Sequence, residues 1–229
     1  MHVPDGFLDA PTSIATAVVA VGGVALALRG ARRDLDERTT PIAGLVAVFI
    51  FAAMMINFPV GAGTSGHLLG GALAAVLAGP WLATLALTVV LMIQAFLFAD
   101  GGITALGTNI LLMGIIGVWV GWLVFRGVQR LLPQRASSVS LAAGIGAFVS
   151  VPTAAAAFTL LFAIGGQADI PVGAVLTAMV SWHVIIGIGE ALITALVVGS
   201  VVAVRPDLVY GARGLLRSRP LEVRQVATP

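Results

Sequence analysis

Long apolar stretches separated by short polar loops run through most of the chain. Several of them reach or approach the roughly 20 apolar residues that a helix needs to cross a bilayer. They are residues 12–28, 41–58, 67–99, 103–125, 139–164 and 173–203, with Gly79-Pro80 interrupting the third. None shows the polar/apolar alternation of a membrane β-barrel strand. The pattern predicts an all-α fold, a polytopic membrane helical bundle.

Arginine residues set the predicted orientation of the bundle. All basic residues are Arg, in three groups at Arg29–Arg38, Arg126–Arg135 and Arg205–Arg224. The positive-inside rule places all three groups in the cytoplasm. Counting crossings from there predicts about seven transmembrane helices, with the N-terminus outside and the C-terminus cytoplasmic. The first half of 67–99 is short for a full span, so we expect a re-entrant or half-buried helix there.

Composition supports one membrane domain. Hydrophobic residues make up 59% of the chain and charged residues 10%, whereas about a quarter of the residues of a soluble domain are charged. We expect a membrane-embedded domain at 1–204 and a short cytoplasmic tail at 205–229. The opening segment has two acids and no Arg or Lys before the first apolar stretch, so we expect no signal peptide and a mature chain that begins at Met1. The scattered Arg residues do not predict nucleic acid binding.

Histidine provides the candidate chemistry. The chain has no Cys, so a metal would take nitrogen or oxygen ligands. The Met1 amine, the deprotonated His2 amide and the His2 imidazole can form fused chelate rings, and His67, predicted on the same outer side, can supply a fourth nitrogen. Four nitrogens in a plane suit Ni(II) or Cu(II) and can hold Co(II). The alternative is a pair of hydrogen-bonding surface histidines.

Several sequence blocks carry a family resemblance. They are Met1-His2 with Asp5-Gly6-Phe7-Leu8, Asn57-Phe58-Pro59-Val60 with Gly63 to Gly71, Gln94-Ala95 with Asp100 to Thr104, Leu106-Gly107 with Asn109, and His183 with Ile186-Gly187 and Gly189 to Ala191. In this order the blocks resemble the CbiM/NikM family, the cobalt/nickel-specific S components of energy-coupling factor (ECF) transporters.

The resemblance implies a seven-helix subunit that captures its ion with the Met1 amine, the His2 amide and imidazole, and the His67 ring. The transported ligand would be Co(II) or Ni(II), with cobalt favoured, and no cofactor is expected. Many members open Met-His-Ile-Met-Glu-Gly, whereas this chain has Val3-Pro4-Asp5-Gly6. The acid and the glycine remain in register.

Other polar residues are candidates for supporting or structural roles. Thr64 and Ser65 could orient the His67 ring by hydrogen bonds. Residues near the ends of the predicted spans either bond between helices or support or gate the site: Asn57, Gln94, Asp100, Thr104 and Asn109. His183 and Glu190 share one face of the last helix, where a structural hydrogen-bond network is favoured over a role in coupling.

The chain lacks Lys, which excludes a P-loop of the form GxxxxGK[ST]. It is therefore not expected to be an enzyme, and ATP hydrolysis would lie on separate subunits. The family implies a transmembrane T component, paired ATPase subunits and, in some systems, a small accessory membrane protein, in a bacterial or archaeal plasma membrane. A stand-alone secondary carrier or channel is the alternative. An intramembrane metalloenzyme is disfavoured because HExxH is missing.

Overall fold

The computed structural model describes residues 1–33, 39–61 and 64–214. Its helices are α1 Ala10–Ala31, α2 Thr39–Met54, α3 Gly71–Ala78, α4 Pro80–Leu97, α5 Leu106–Asn109, α6 Val118–Leu131, α7 Ala136–Gly165 and α8 Val172–Val204. A π-helical segment, Ile110–Gly117, joins α5 to α6 without a break, and two strands, β1 Phe58–Gly61 and β2 Thr64–Gly66, form a hairpin.

Helix length and surface chemistry identify a multi-pass membrane protein. Among the described residues, five helical segments are long and apolar enough to cross a bilayer: α1, α4, the continuous segment Leu106–Leu131, α7 and α8. Leucines on several of these helices stay exposed, including Leu97 and Leu196 at 75% and 69%. A soluble protein rarely presents so many large apolar side chains to water, whereas a bilayer solvates them. The predicted class of fold is confirmed.

The predicted interruption at Gly79-Pro80 is present and gives α3 its place. Gly79 has φ +91°, a conformation that favours glycine, and Pro80 begins α4, where a missing N–H costs no helical hydrogen bond. All eight residues of α3 are buried. At a rise of 1.5 Å per residue α3 extends about 12 Å, far less than the roughly 30 Å of a hydrocarbon core, and it packs against the rest of the bundle along its whole length.

The apolar pattern predicts one helix over 41–58, and this prediction is wrong at its end. α2 ends at Met54, and β1 then pairs antiparallel with β2, bringing Phe58 opposite Gly66 and Pro59 opposite Ser65. The physical reason lies in Pro59, because a residue that precedes proline avoids the α region. The hairpin leads directly into the segment 67–70 and then into α3.

The longest helices, α7 and α8, pack against each other along their length. α8 has 33 residues, about 50 Å, which exceeds the roughly 30 Å of a hydrocarbon core. Its buried positions recur every three or four residues, at Val175, Met179, His183, Gly187, Glu190, Thr194, Val198 and Val202. After α8 the chain returns to the bundle, where Val209 and Ala212 are buried. Residues 215–229 of the expected tail lie outside the described residues.

Candidate metal site

The amino terminus is buried inside the bundle. Met1 is 1% exposed and His2 4%, and Val3 is also buried. Val3 is held on both of its backbone groups, because its N–H donates to Oδ1 of Asn109 at 2.8 Å and its C=O accepts from Nδ2 of Asn109 at 3.2 Å. The N–H of Gly102 donates to the same carbonyl at 2.9 Å. These contacts fix the chain one residue after His2.

The next residues tie this segment to the rim of the bundle. Asp5 Oδ1 accepts from the backbone N–H of Thr104 at 2.7 Å and from its hydroxyl at 2.5 Å. Gly101 has φ +91°, and a Cβ there would lie 3.1 Å from both the His2 ring and the Asn109 amide. The loop at 101–104 therefore approaches the N-terminal segment more closely than a side chain at Gly101 would permit. Asp9 then caps α1 by accepting from the N–H of Thr12 at 2.8 Å.

His67 meets the amino terminus from the other side. Its ring is 1% exposed, and Nε2 contacts the Met1 amine. Nδ1 donates to the carbonyl of Leu68 at 2.9 Å, which places the ring proton on Nδ1 and leaves a lone pair on Nε2. The centroids of the His2 and His67 rings are 4.5 Å apart. The structure thus brings the three residues of the predicted ligand set into one buried cluster.

Asp100 and Asn57 lie on the outer side of this cluster. Nδ1 of His2 is 3.2 Å from Oδ1 of Asp100, and Oδ2 of Asp100 accepts from Nδ2 of Asn57 at 3.3 Å. Asn57 is exposed and Asp100 half-buried. The pair therefore lies between His2 and the surface.

Burial governs the protonation of the nitrogen groups. It lowers the pKa of the Met1 amine well below the usual value, against the opposing effect of the nearby Asp100 carboxylate. Burial also lowers the pKa of His67 well below its ordinary range and lowers that of His2. The pKa of Asp100 is lowered chiefly by the His2 ring, whose Nδ1 lies 3.2 Å from Oδ1. The buried amine and rings are thus biased toward their neutral forms, which are the forms that bind metals.

Glu190, a buried residue of α8, reaches the His67 segment. Its Oε2 accepts from the backbone N–H of Leu69 at 2.7 Å, and its Oε1 accepts from that of Gly70 at 2.8 Å. Glu190 was expected to join a structural hydrogen-bond network, but its contact with this segment was not predicted. The depth of the segment was the missing information, because it depends on α3 being buried.

His183 lies close to the cluster without joining it. The ring is buried, Nδ1 bonds to the carbonyl of Met179 at 2.7 Å, and Nε2 has no hydrogen-bond partner among the described residues. Within the part of the chain that the structure describes, no three His, Asp or Glu side chains lie close enough to share a metal ion. A shared ion would therefore need the terminal amine or a backbone group.

The remaining supporting candidates have different positions. Ser65 pairs with Pro59 in the hairpin, and Nδ1 of His67 donates instead to the Leu68 carbonyl. The side chain of Thr64 lies outside the described residues. Asn109 was expected to bond between helices or to support the site, but its double contact with Val3 was not predicted. Its position in the same block as Leu106-Gly107 was the available signal.

The fold and this cluster define a polytopic membrane protein with a buried, nitrogen-rich cluster that includes its own amino terminus. The family model for CbiM, described as the cobalt uptake substrate-specific transmembrane region, matches residues 2–208. The chain therefore belongs to the CbiM family, a family of metal transport proteins.

Relatives and a solved structure agree with this placement. A metal transport protein of Haloquadratum walsbyi is 38% identical over 92% of this chain and 94% of its own. The fused nickel transport protein NikMN of Rhodobacter capsulatus is 37% identical over 93% of this chain and 65% of its own. The cobalt transport protein CbiM of Sorangium cellulosum is 35% identical, with coverage of 91% and 94%. A crystal structure of a transition metal transporter superposes with a TM-score of 0.83 at 32% identity, covering 89% and 93% of the two chains.

Proposed function

We propose that this chain is the substrate-binding membrane subunit of an ECF-type importer for Co(II) or Ni(II). The observation that carries the proposal is the contact of the buried Met1 amine with Nε2 of His67, beside the His2 ring. The ligands are the Met1 amine, the His2 amide nitrogen, the His2 imidazole and the His67 imidazole. Nitrogen donors of this kind suit late first-row divalent ions and discriminate against Mg²⁺ and Ca²⁺, which prefer oxygen.

Binding requires one local rearrangement. In the chelate, Nδ1 of His2 closes a six-membered ring with the His2 amide, but here Nδ1 faces Asp100 at 3.2 Å. The His2 ring must therefore turn away from Asp100 when the ion arrives. Asp100 and Asn57 lie nearer the surface. They act as supporting residues that hold the His2 ring before the ion arrives and release it when the ion binds. Nδ1 of His67 keeps its hydrogen bond to Leu68 throughout.

The choice between cobalt and nickel follows from the relatives and the resemblance together. Relatives of similar identity are named for nickel transport and for cobalt transport. The description of the family model names cobalt uptake. We propose cobalt as the preferred ion, with nickel bound by the same four nitrogens.

Energy for import is proposed to come from partners. The chain has no Lys, and a P-loop requires one, so a transmembrane T component and paired ATPase subunits would supply it. A small accessory membrane protein is a further candidate, since about a third of the fused relative of Rhodobacter capsulatus lies outside the part that matches this chain.

The proposed topology is the one that the arginines predict. Seven crossings, with α3 and α4 counted as an interrupted pair, place the N-terminus and the hairpin outside. Residues 1–204 form the metal-binding domain, and 205–229 form the cytoplasmic tail. The Arg residues at the ends of α1, α6 and α8 are then on the cytoplasmic side.

A secondary carrier or channel is the alternative function. Such a carrier would ordinarily use an intramembrane acid to couple an ion gradient to transport. Glu190 is the buried acid of α8, and both of its carboxyl oxygens are engaged by backbone N–H groups. This arrangement favours a structural role over coupling.

Two measurements test the proposal. Metal analysis of the purified, untagged chain followed by competition between Co(II) and Ni(II) should give about one tightly bound ion per chain. Vesicles that contain this chain alone should not concentrate metal when ATP is supplied, whereas vesicles that also contain a T component and its ATPases should. Accumulation driven by a proton gradient in the absence of partners would assign the chain to the carriers.

A further inference from the structure

A bidentate hydrogen bond joins the middle of α8 to the backbone that follows His67. Glu190 is 1% exposed, and each of its carboxyl oxygens accepts from one peptide N–H, that of Leu69 or that of Gly70. A carboxyl group removed from water is unfavourable unless its oxygens find donors. Two well-directed N–H groups provide them, although they lie about 120 residues away in sequence.

The same backbone segment determines the direction of the His67 ring. Nδ1 of His67 donates to the carbonyl of Leu68, which belongs to the peptide unit whose N–H, that of Leu69, donates to Glu190. A shift of this peptide would therefore move both partners together. The path runs from the carboxyl group through one peptide plane to Nδ1, and it leaves Nε2 directed at the Met1 amine.

The position of the carboxyl group at the start of α3 strengthens this arrangement. Gly70 is the N-cap of α3, with φ +72°, and has no side chain of its own for capping. Glu190 supplies the cap from another helix, where the positive end of the helix dipole favours a carboxylate. A Cβ at Gly70 would lie 2.7 Å from Ile50, so a local side-chain cap cannot replace it.

We propose that Glu190 is the positioning residue of the metal site, which sets the orientation and tautomer of His67 through the backbone of residues 68–70. This inference rests on the proposed function for its metal readout, but the positioning itself can be tested without metal. It assigns the buried acid of α8 to the geometry of ion capture. Glu190 touches no proposed donor atom and acts through the peptide between Leu68 and Leu69.

The test compares Glu190→Gln with Thr194→Val in the untagged full chain. Gln keeps one acceptor but sets an NH₂ group against a peptide N–H, so it should break one of the two hydrogen bonds. Thr194 lies four residues further along the same buried face, and its hydroxyl has no partner among the described residues. Thr194→Val, like Glu190→Gln, replaces a buried polar side chain of α8 by one of similar size. It should leave the His67 segment unchanged.

The first readout is the ¹⁵N spectrum of the metal-free protein labelled at histidine. Only three histidines contribute signals, and the ¹⁵N shifts of a ring report its tautomer. Native protein and Thr194→Val should show His67 as a single Nδ1–H tautomer. Glu190→Gln should show a mixture of tautomers or a broadened His67 signal. This outcome does not depend on whether the site binds cobalt.

The second readout is the affinity and visible spectrum of the Co(II)-loaded protein. Glu190→Gln should weaken binding by about tenfold or more, the usual effect of removing a residue that orients a ligand, and should alter the ligand-field bands. Thr194→Val should change neither. If Glu190→Gln does not fold, Glu190→Asp retains both oxygens and should give an intermediate loss.

Three outcomes would overturn the assignment. They are a native His67 spectrum in folded Glu190→Gln, a native affinity and spectrum in folded Glu190→Asp where Gln does not fold, and an equal loss in Thr194→Val. Failure of the native chain to bind cobalt would instead refute the proposed function and leave the metal-free result valid.

Discussion

Asn109 holds Val3 through both of its backbone groups, accepting the Val3 N–H at 2.8 Å and donating to the Val3 carbonyl at 3.2 Å. The contact imitates one step of a β-ladder, with a side-chain amide in place of a neighbouring strand. It lies next to the residue whose amide and ring are proposed ligands. The N-terminal segment is thereby fixed before any ion binds, which reduces the ordering that binding itself would require.

Replacing Asn109 with Ala should weaken Co(II) or Ni(II) binding while the bundle stays folded. Two hydrogen bonds of about 0.5–1.5 kcal/mol each correspond to roughly a 5- to 150-fold loss of affinity. Calorimetry on purified protein measures it. Thr108→Val is the matched control, since it removes a bond to Thr16 between α5 and α1 and leaves Val3 untouched. Native affinity in a folded Asn109→Ala variant would contradict the positioning role.

Much of the fold could be predicted because apolar length alone defines a membrane helix. The break at Gly79-Pro80 was also visible, since both residues disfavour a continuous helix. The hairpin was not predicted, because Met55, Ile56 and Phe58 continue the apolar pattern after α2. Pro59 was the one local signal that the helix ends before Phe58.

The site could be predicted only in its outline. The convergence of His2 and His67 followed from counting crossings between Arg groups and from the resemblance. The contact of Glu190 with Leu69 and Gly70 did not follow, because the helix that contains it is a plain apolar span in sequence. The His67 segment reaches the middle of α8 only because the adjoining helix α3 is buried. No local sequence pattern specifies that α3 is buried.

Substitutions of His67 and His183 should show which of these two buried histidines binds the ion. His67→Ala removes a proposed donor from a segment outside the long helices, so binding should fall by much more than about tenfold. His183→Gln should leave affinity close to native, because His183 is not among the four proposed nitrogen ligands and its Nδ1 donates to the Met179 carbonyl. Isothermal calorimetry with both ions compares them. Equal losses in the two variants would mean that His183 also contributes to ion binding.

The affinity of the site should depend less on pH than that of a free Met-His-Val peptide. Burial lowers the pKa of the Met1 amine well below its usual value, so near neutral pH the amine in the protein holds its proton less strongly than a free amine does, and a metal displaces that proton more easily. In the peptide, with an amine pKa of about 8, that proton still competes at pH 7. The amide proton of His2 is displaced in both cases and cancels from the comparison.

Titration with Co(II) at several values between pH 7 and pH 8 measures this difference. The logarithm of the peptide's affinity should rise more steeply with pH, by up to about one additional unit per pH unit. Toward acid pH both affinities should fall, as protons compete for the amine and the imidazoles. Equal slopes for protein and peptide between pH 7 and 8 would show that the buried amine retains its proton.

The orientation of the bundle can be measured by cysteine labelling, because the chain has no native Cys. A single Cys at Ser65 in the hairpin should react with a membrane-impermeant reagent from outside. A Cys at Gln134, between α6 and α7, should react only from the cytoplasmic side, as its position among Arg130 and Arg135 predicts. Labelling at position 65 only from the cytoplasm would reverse the proposed topology.

Extending the N-terminus by a single residue should abolish metal binding. Met1 is 1% exposed and its amine contacts Nε2 of His67, so an added residue has no room beside the ring. The extension also converts the amine into an amide, which is a much weaker donor for a divalent ion at neutral pH. A tag at the N-terminus should therefore remove both binding and transport, whereas the same tag after Pro229 should leave them intact.

Mass spectrometry and metal analysis of the two tagged forms make this test quantitative. Active protein should carry Met1 with a free, deformylated amine. The N-terminally extended form should be folded, as judged by its helical content, yet hold less than about a hundredth of the native affinity, since the amine donor would be lost and the added residue would displace the chain end from His67. The C-terminally tagged form controls for the mass and charge of the tag. An extended chain that retains its additional residue and binds as tightly as the native chain would exclude the amino-terminal chelate, and His67 would then have to bind the ion with ligands other than Met1.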